Sequence, residues 1–323
     1  MKKANKTIIV TSPSRLHLGF YGMNNDYGYS FGSIGLAINA FHTVISAKKS
    51  VSNKFNITGK NLSLAKKFVK KYIPRDKFEI NILSKPNNHI GLGSGTQASL
   101  CLVRALSLFS DDKLTQEQLI EISNRGRRSG IGIGTFYNGG LIIDGCKKDN
   151  KFPRILYNVK FPRKWHIILI NDKSIKGTSG LTEEKFFKES LDYYNHKKLS
   201  NELTNILLRG LFPAILYDDF ENFSKCLHEF QKNTSKFYSK NQKKFFLSDD
   251  IEKVMKYVLK SGHSGIGQSS WGPISYIFMR SKNEAKDLIK SMENKFKLYN
   301  NLSYHVVGAN NSGHSIKTIE PKE

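Results

Sequence analysis

Two stretches rich in β-branched and apolar residues, 7–20 and 34–47, open the chain. Gly, Ser and Asn bound each of them, which predicts two strands around a glycine-rich connection from Gly19 to Gly35. Residues 62–72 carry a helical pattern, and 78–83 alternate as a strand does. From Ala98 to Phe109 the apolar residues fall at 98, 102, 105, 106 and 109, close to one face of a helix. A short helix is predicted at 116–123, then a glycine-rich run from Arg125 to Gly140, a strand at 141–144 and a buried strand at 165–171. The tract 182–261 is mostly helical in pattern, with Phe187, Leu191, Leu203, Ile206, Leu207, Leu211, Val254, Tyr257 and Val258 as core candidates. A second glycine-rich stretch, 262–272, precedes a strand at 274–280, a helix at 283–297 and a closing strand near 303–308. With no repeat and no low-complexity linker, the pattern predicts an α+β chain of two domains, 1–160 and 161–323.

Composition narrows this picture only a little. A chain of 323 residues, 39% hydrophobic, can bury a sizeable core in two domains. Lys and Arg number 51 against 27 Asp and Glu, so the net charge is +24 and the field attracts anions. The lysine pairs are scattered from Lys2-Lys3 to Lys243-Lys244, as on a solvated surface, and form no tail or helix stripe. Cys101, Cys146 and Cys226 are odd in number and widely spaced, which suits a reducing compartment without a disulfide framework. The apolar run Thr7-Ile8-Ile9-Val10 is too short for a signal-peptide core, and no long apolar span occurs, so a cytoplasmic protein without a membrane anchor is expected.

The candidate chemistry begins at HIGLGSGTQAS, His89 to Ser99. Gly91, Gly93 and Gly95 let a ligand approach the main chain, and free amides at the start of the following helix favour an anion. A tight packing turn would use the same glycines. The loop is not GxxxxGK[ST], because no Lys follows its last glycine.

Three stretches together, SPSRLHLG at 12–19, GLGSGTQAS at 91–99 and SGIGQSSWGP at 264–273, resemble the three motifs of the GHMP superfamily of small-molecule kinases in order and spacing. The resemblance implies an N-terminal domain like domain 2 of ribosomal protein S5, a ferredoxin-like C-terminal domain and a site between them. Kinases of the superfamily typically carry PSGID, six residues and GG, with the Asp as base on the substrate hydroxyl. Here SGIGIGTFYNGG, Ser129 to Gly140, puts Gly132 in the place of that acid. Within the superfamily, GLGSGTQ, RRSGIG and GQSSWGP resemble the β-ribofuranosylaminobenzene 5′-phosphate synthase branch. That resemblance implies condensation of 4-aminobenzoate with phosphoribosyl pyrophosphate, losing carbon dioxide and pyrophosphate, on the way to methanopterin-type cofactors. It further implies Mg²⁺ carried with the pyrophosphate, no ATP, no nucleic acid and a possible homodimer.

On this reading Gly91, Gly93, Ser94, Gly95, Thr96 and Gln97 hold phosphate, and Arg127, Arg128, Gly130, Ser269 and Ser270 add substrate contacts. Arg125, which precedes the same motif, is a further guanidinium of the group. Arg15 and His17 share a strand face, being two residues apart. With Gln268 and Trp271 they make the expected catalytic set, Trp271 either stacking on the aromatic substrate or filling the core. His263 is a minor candidate for moving a proton. Asp26 and Asp144 are the candidate metal ligands, each equally readable as a loop carboxylate. Two other readings stay open: an ATP-dependent kinase of the same superfamily, and a basic nucleic-acid binder, for which no recognised motif is present.

Overall fold

The β-branched runs at the start of the chain form two long paired strands, β1 (Thr7–Gly22) and β2 (Gly32–Ser50), antiparallel and interrupted by bulges at Ser12/Ser14, His17/Gly19 and Phe20/Gly22. The structure, a computed structural model, describes residues 6–23, 27–148, 151–175, 177, 196–238, 244–270 and 272–320. β3 (Lys54–Asn56), β4 (Lys77–Ser84), β5 (Leu141–Asp144) and β6 (Ile155–Val159) extend the sheet; β3 pairs β4 in parallel, and β5 joins β2 to β6. Helices α1 (Gly59–Tyr72), α2 (Ser94–Ser107), α3 (Gln116–Ser123) and α4 (Ile131–Tyr137) accompany these strands. Ile8, Val10, Ile45, Phe78 and Ile80 bury against Phe68 of α1 and Leu102 and Leu106 of α2. Farther along β1, Leu16, Leu18 and Phe20 instead enter a core shared with the second half of the chain.

That second half is built on β7 (His166–Asp172), β8 (Ile266–Gln268), β9 (Ser275–Met279) and β10 (Leu302–Val307), in the antiparallel order β10-β7-β9-β8. Between β7 and β8 come α5 (His196–Ile206), a π-helical turn (Leu207–Leu211), α6 (Phe212–Leu216), α7 (Phe220–Tyr238) and α8 (Asp249–Lys260); α9 (Lys282–Lys295) links β9 to β10. In chain order the strands lie 4-1-3-2, the ferredoxin-like arrangement. Val254, Met255 and Val258 of α8 and Leu288 and Met292 of α9 cover one sheet face at Ile168, Ile170 and Ile277. Phe223 and Phe230 of α7 face Trp165, Tyr276 and Phe278 in the core that Leu16, Leu18 and Phe20 also enter. The two halves are thus joined by shared apolar burial along β1 and α7. No described helix is long and apolar enough to cross a membrane.

β11 (Ser315–Ile319) returns to the first sheet and pairs antiparallel with the start of β1, Thr7 opposite Ile319. This strand, β3, β6, β8 and α4 are not legible in the hydrophobic pattern. β6 and β11 are largely exposed, so no apolar alternation marks them. α4 lies in a glycine-rich run because it is pressed against its neighbours. A Cβ on Gly132 would lie 2.8 Å from Cγ2 of Thr96, and one on Gly134 would lie 2.7 Å from Cγ2 of Ile142. Among the core candidates Leu203, Leu207, Leu211, Val254 and Val258 are buried and Ile206 and Tyr257 partly so, while Phe187 and Leu191 lie outside the described residues.

Candidate active site

Gly93 caps α2 in the left-handed region at φ +75°, and Gly91 before it sits at φ +95°, so the chain turns sharply into the helix without side chains in the way. No side chain caps the helix and no acidic residue stands in its first turn. The carbonyl of Gly93 accepts from the amides of Thr96 and Gln97, both at 3.1 Å; the amides before them point out of the helix end, where an anion is favoured.

Two guanidiniums flank this end. Arg15 of β1 runs alongside Gly93, where an added Cβ would lie 3.0 Å from its Cγ and Nε, and its Nη1 donates to the Gly91 carbonyl at 2.6 Å. Arg125 stands on the other side, its nitrogens 3.8 Å from where a Cβ of Gly95 would be, and its Nε donates to Ser99 Oγ at 3.0 Å. Burial lowers the pKa of Arg125, but a guanidinium keeps its proton in proteins, so both flanks are cationic.

The third motif closes the loop from behind. Ile274 N donates to Ile90 O at 3.3 Å, and a Cβ on Gly272 would lie 2.3 Å from Gly91 N. Buried Ser269 donates from Oγ to the Gly91 carbonyl at 2.7 Å and accepts there from His17 N at 3.0 Å. All three motifs therefore meet at Gly91, Ser269 and His17.

Beyond this junction a cavity of about 30 Å³ is lined by His17, Gln231, Thr234, Lys244, Gln268 and Ser270, among others. Gln268 belongs to its frame: Oε1 accepts from Leu247 N at 2.7 Å, Nε2 donates to Ser270 O at 3.1 Å, and its own amide donates to Gln231 Oε1 at 3.2 Å. His17 is buried, and desolvation, with Arg15 beside it, pushes its imidazole down to about 3. Its Nδ1 accepts from Gly19 N–H at 3.2 Å, so the neutral ring carries its proton on Nε2.

Comparison with known proteins identifies the family. The GHMP kinases N terminal domain matches residues 59–140, and the GHMP kinases C terminal domain matches 211–298. A beta-ribofuranosylphenol 5′-phosphate synthase of Archaeoglobus fulgidus is 32% identical over 238 residues, 68% of this chain and 74% of that protein. One of Methanothermobacter thermautotrophicus is 29% identical over 297 residues, 83% of this chain and 88% of that protein. The chain belongs to the GHMP superfamily, in its beta-ribofuranosylphenol 5′-phosphate synthase branch. Mevalonate diphosphate decarboxylase of Staphylococcus aureus shares the fold, with a TM-score of 0.69 at 16% identity, covering 97% of this chain and 98% of that one.

Seen on the GHMP fold, the expected site residues divide. Arg15, His17, Gly91, Gly93, Ser94, Gly95, Thr96, Gln268, Ser269 and Ser270 gather around the loop and cavity. Gln97 does not face a ligand: it is fully buried, its Oε1 accepting from Ser12 Oγ at 2.5 Å and its Nε2 donating to Gly132 O at 2.9 Å, which ties α2 to β1 and α4. Arg127 is exposed and donates to Asn124 Oδ1 at 2.8 Å, and Arg128 is half-buried; of this GHMP motif it is Arg125 that reaches α2. Gly130 and Asp144 are a structural pair, the Gly130 amide donating to Asp144 Oδ2 at 2.7 Å. Asp144 also accepts from Ser33 N at 2.8 Å and Ser33 Oγ at 2.5 Å, and is fully buried, so it is spent on donors and does not fit a metal-ligand role. Asp26 and Trp271 lie outside the described residues. His263 is partly buried and does not line the cavity, and no described cluster of three or more His, Cys, Asp or Glu is placed to hold a metal ion. Thr234 and Lys244 were not legible as site residues, because they come from the helical tract and reach β1 only through the fold.

Proposed function

We propose that the chain is a C-riboside-forming synthase that joins phosphoribosyl pyrophosphate to a 4-substituted benzoate, releasing carbon dioxide and pyrophosphate. The observation that carries this reading is the glycine-opened, uncapped start of α2 between Arg15 and Arg125, in a site where Gly132 replaces the kinase carboxylate and Thr96 fills the space beside it. Such a site can hold a diphosphate but has no carboxylate there to take a proton from an alcohol. The phenol in the relatives' name corresponds to a hydroxy acid such as 4-hydroxybenzoate, where the motifs imply 4-aminobenzoate. Either acid has the electron-donating 4-substituent that the chemistry needs.

The ring carbon bearing the carboxylate attacks the anomeric carbon as the bond to diphosphate breaks. The carboxylate then leaves as carbon dioxide, and its bonding pair restores the ring. Amides of Ser94 and Gly95 and the two guanidiniums take up the charge that develops on the leaving diphosphate, and being fixed beforehand they need no reorganisation. His17, neutral and donating from Nε2, serves as a hydrogen-bond donor and not as a base at neutral pH. Magnesium, where bound, would be held through the diphosphate oxygens and would help neutralise the leaving charge; Asp144, taken up by Ser33 and Gly130, would not supply a ligand.

Incubation with phosphoribosyl pyrophosphate and each acid, with mass spectrometry of the product, tests the reading. Ribosylated phenol or aniline phosphate together with pyrophosphate is the expected result. ADP formed from ATP and a simple alcohol, with no C-riboside, would replace it with the kinase reading.

A further inference from the structure

The cavity behind the loop holds two polar groups that the diphosphate chemistry does not use. Thr234 of α7 is 3% exposed, and its Oγ1 is buried with no hydrogen-bond partner among the described residues. Such an atom costs free energy unless a ligand or water satisfies it. His17 lines the same cavity, and with Nδ1 taken by Gly19 N–H its donor is Nε2. Gly19, two residues after His17, lets α7 approach β1 here: at φ +129° it carries no side chain, and a Cβ there would lie 2.9 Å from Thr234 Oγ1.

The size and polarity of this space restrict its occupant. About 30 Å³ is room for a small polar group. The cation at the edge, Lys244, is paired with Asp249. A donor from His17 and a hydroxyl from Thr234 match a group that both accepts and donates one hydrogen bond, and Phe245 beside them offers an apolar face to a ring.

Resting on the proposed reaction, we infer that this cavity receives the 4-substituent of the aromatic acid and that His17 and Thr234 select a hydroxyl over an amine there. A phenol oxygen accepts from Nε2–H and donates to Thr234 Oγ1. The nitrogen of an aromatic amine has its lone pair drawn into the ring, accepts poorly and leaves the buried His17 N–H unpaired. Loss of one such buried hydrogen bond corresponds to about tenfold or more in discrimination. The carboxylate end of the acid then points back past Ser269 towards the diphosphate loop, where the new bond forms.

The test compares the wild type with Thr234→Val, Thr234→Ser and His17→Gln. Titration calorimetry with 4-hydroxybenzoate and with 4-aminobenzoate is run alongside kcat/KM for each acid. The wild type is expected to bind the hydroxy acid about tenfold more tightly. Thr234→Val should erase most of that ratio through KM, Thr234→Ser should keep it, and His17→Gln, which retains an N–H donor, should keep part of it. KM for phosphoribosyl pyrophosphate should stay the same in both Thr234 variants. Equal wild-type affinity for the two acids, or a ratio untouched by a folded Thr234→Val protein, would overturn the inference, and the binding arm reads this without turnover. Absence of C-riboside from either acid, despite selective binding, would instead sink the proposed reaction and leave the cavity's selectivity standing.

Discussion

At the level of single residues, two glycines of one loop do different work. Gly93 sits at φ +75° against Arg15, so even Ala there strains the backbone and displaces the guanidinium. Gly95 has room, its nearest neighbours being the Arg125 nitrogens at 3.8 Å. Gly95→Val is therefore expected to leave the folded protein nearly as stable as wild type while abolishing turnover, because the side chain occupies the diphosphate's place. Thermal unfolding and product formation measured on the same sample check this, and wild-type rates from the variant would contradict it. Gly93→Val should lose both stability and activity. The motif showed that the glycines belonged to one loop. Only the placement of Arg15 and Arg125 distinguishes a conformational requirement from a requirement for ligand space.

Among the elements, α4 and its anchor are the informative case. Asp144 on β5 holds the start of α4 through Gly130 N and the start of β2 through Ser33, and desolvation raises its carboxyl to about 6. A carboxyl raised on folding binds its proton more tightly in the native state, so its share of stability declines as pH climbs from about 4 to 6. His17, lowered to about 3 from 6.5, acts the other way: its share is complete above pH 6.5 and is lost as pH falls. Between pH 7 and 5 His17 removes about 2 kcal/mol and Asp144 returns about 1 kcal/mol. Urea midpoints at the two pH values should therefore drop more steeply in Asp144→Asn than in wild type, and less steeply in His17→Gln. Matching slopes in all three proteins would refute the assignment. Gly132→Asp belongs to the same element. Its side chain meets Thr96 Cγ2, so the variant should lose about 1–3 kcal/mol and gain no ATP turnover in an ADP-release assay.

Across the whole molecule, the site depends on how closely the second glycine-rich stretch lies on the first. A Cβ at Gly272 would lie 2.3 Å from Gly91 N and 2.4 Å from Gly91 Cα, with backbone on both sides and nothing flexible to give way. Gly272→Ala should push the two halves apart at the site, lower the unfolding midpoint by several degrees and reduce kcat/KM at least tenfold, by about 1–3 kcal/mol of overpacking. Scanning calorimetry with steady-state kinetics decides it. An unchanged midpoint and rate would show that the junction is looser than its geometry. The shared core of Leu16, Leu18 and Phe20 with Phe223, Phe230 and Phe278 makes the same point in apolar terms, since β1 serves both halves at once.

Local pattern by itself determined the main strands and helices, the two-part α+β organisation and the three glycine-rich stretches, because each is a matter of periodicity or short-range backbone geometry, while the loss of the kinase acid at Gly132 was read from the resemblance to the kinase motif. It did not determine the exposed strands β6 and β11, whose residues bury little and so leave no alternation to read. Nor did it determine the partners of charged and polar side chains. Arg125 in place of Arg127, Asp144 as an internal anchor and Thr234 against Gly19 are approaches between residues 14 to 215 positions apart in the chain. Only tertiary structure could decide these, because burial and pairing across such separations follow from how the halves pack and not from the order of neighbouring residues.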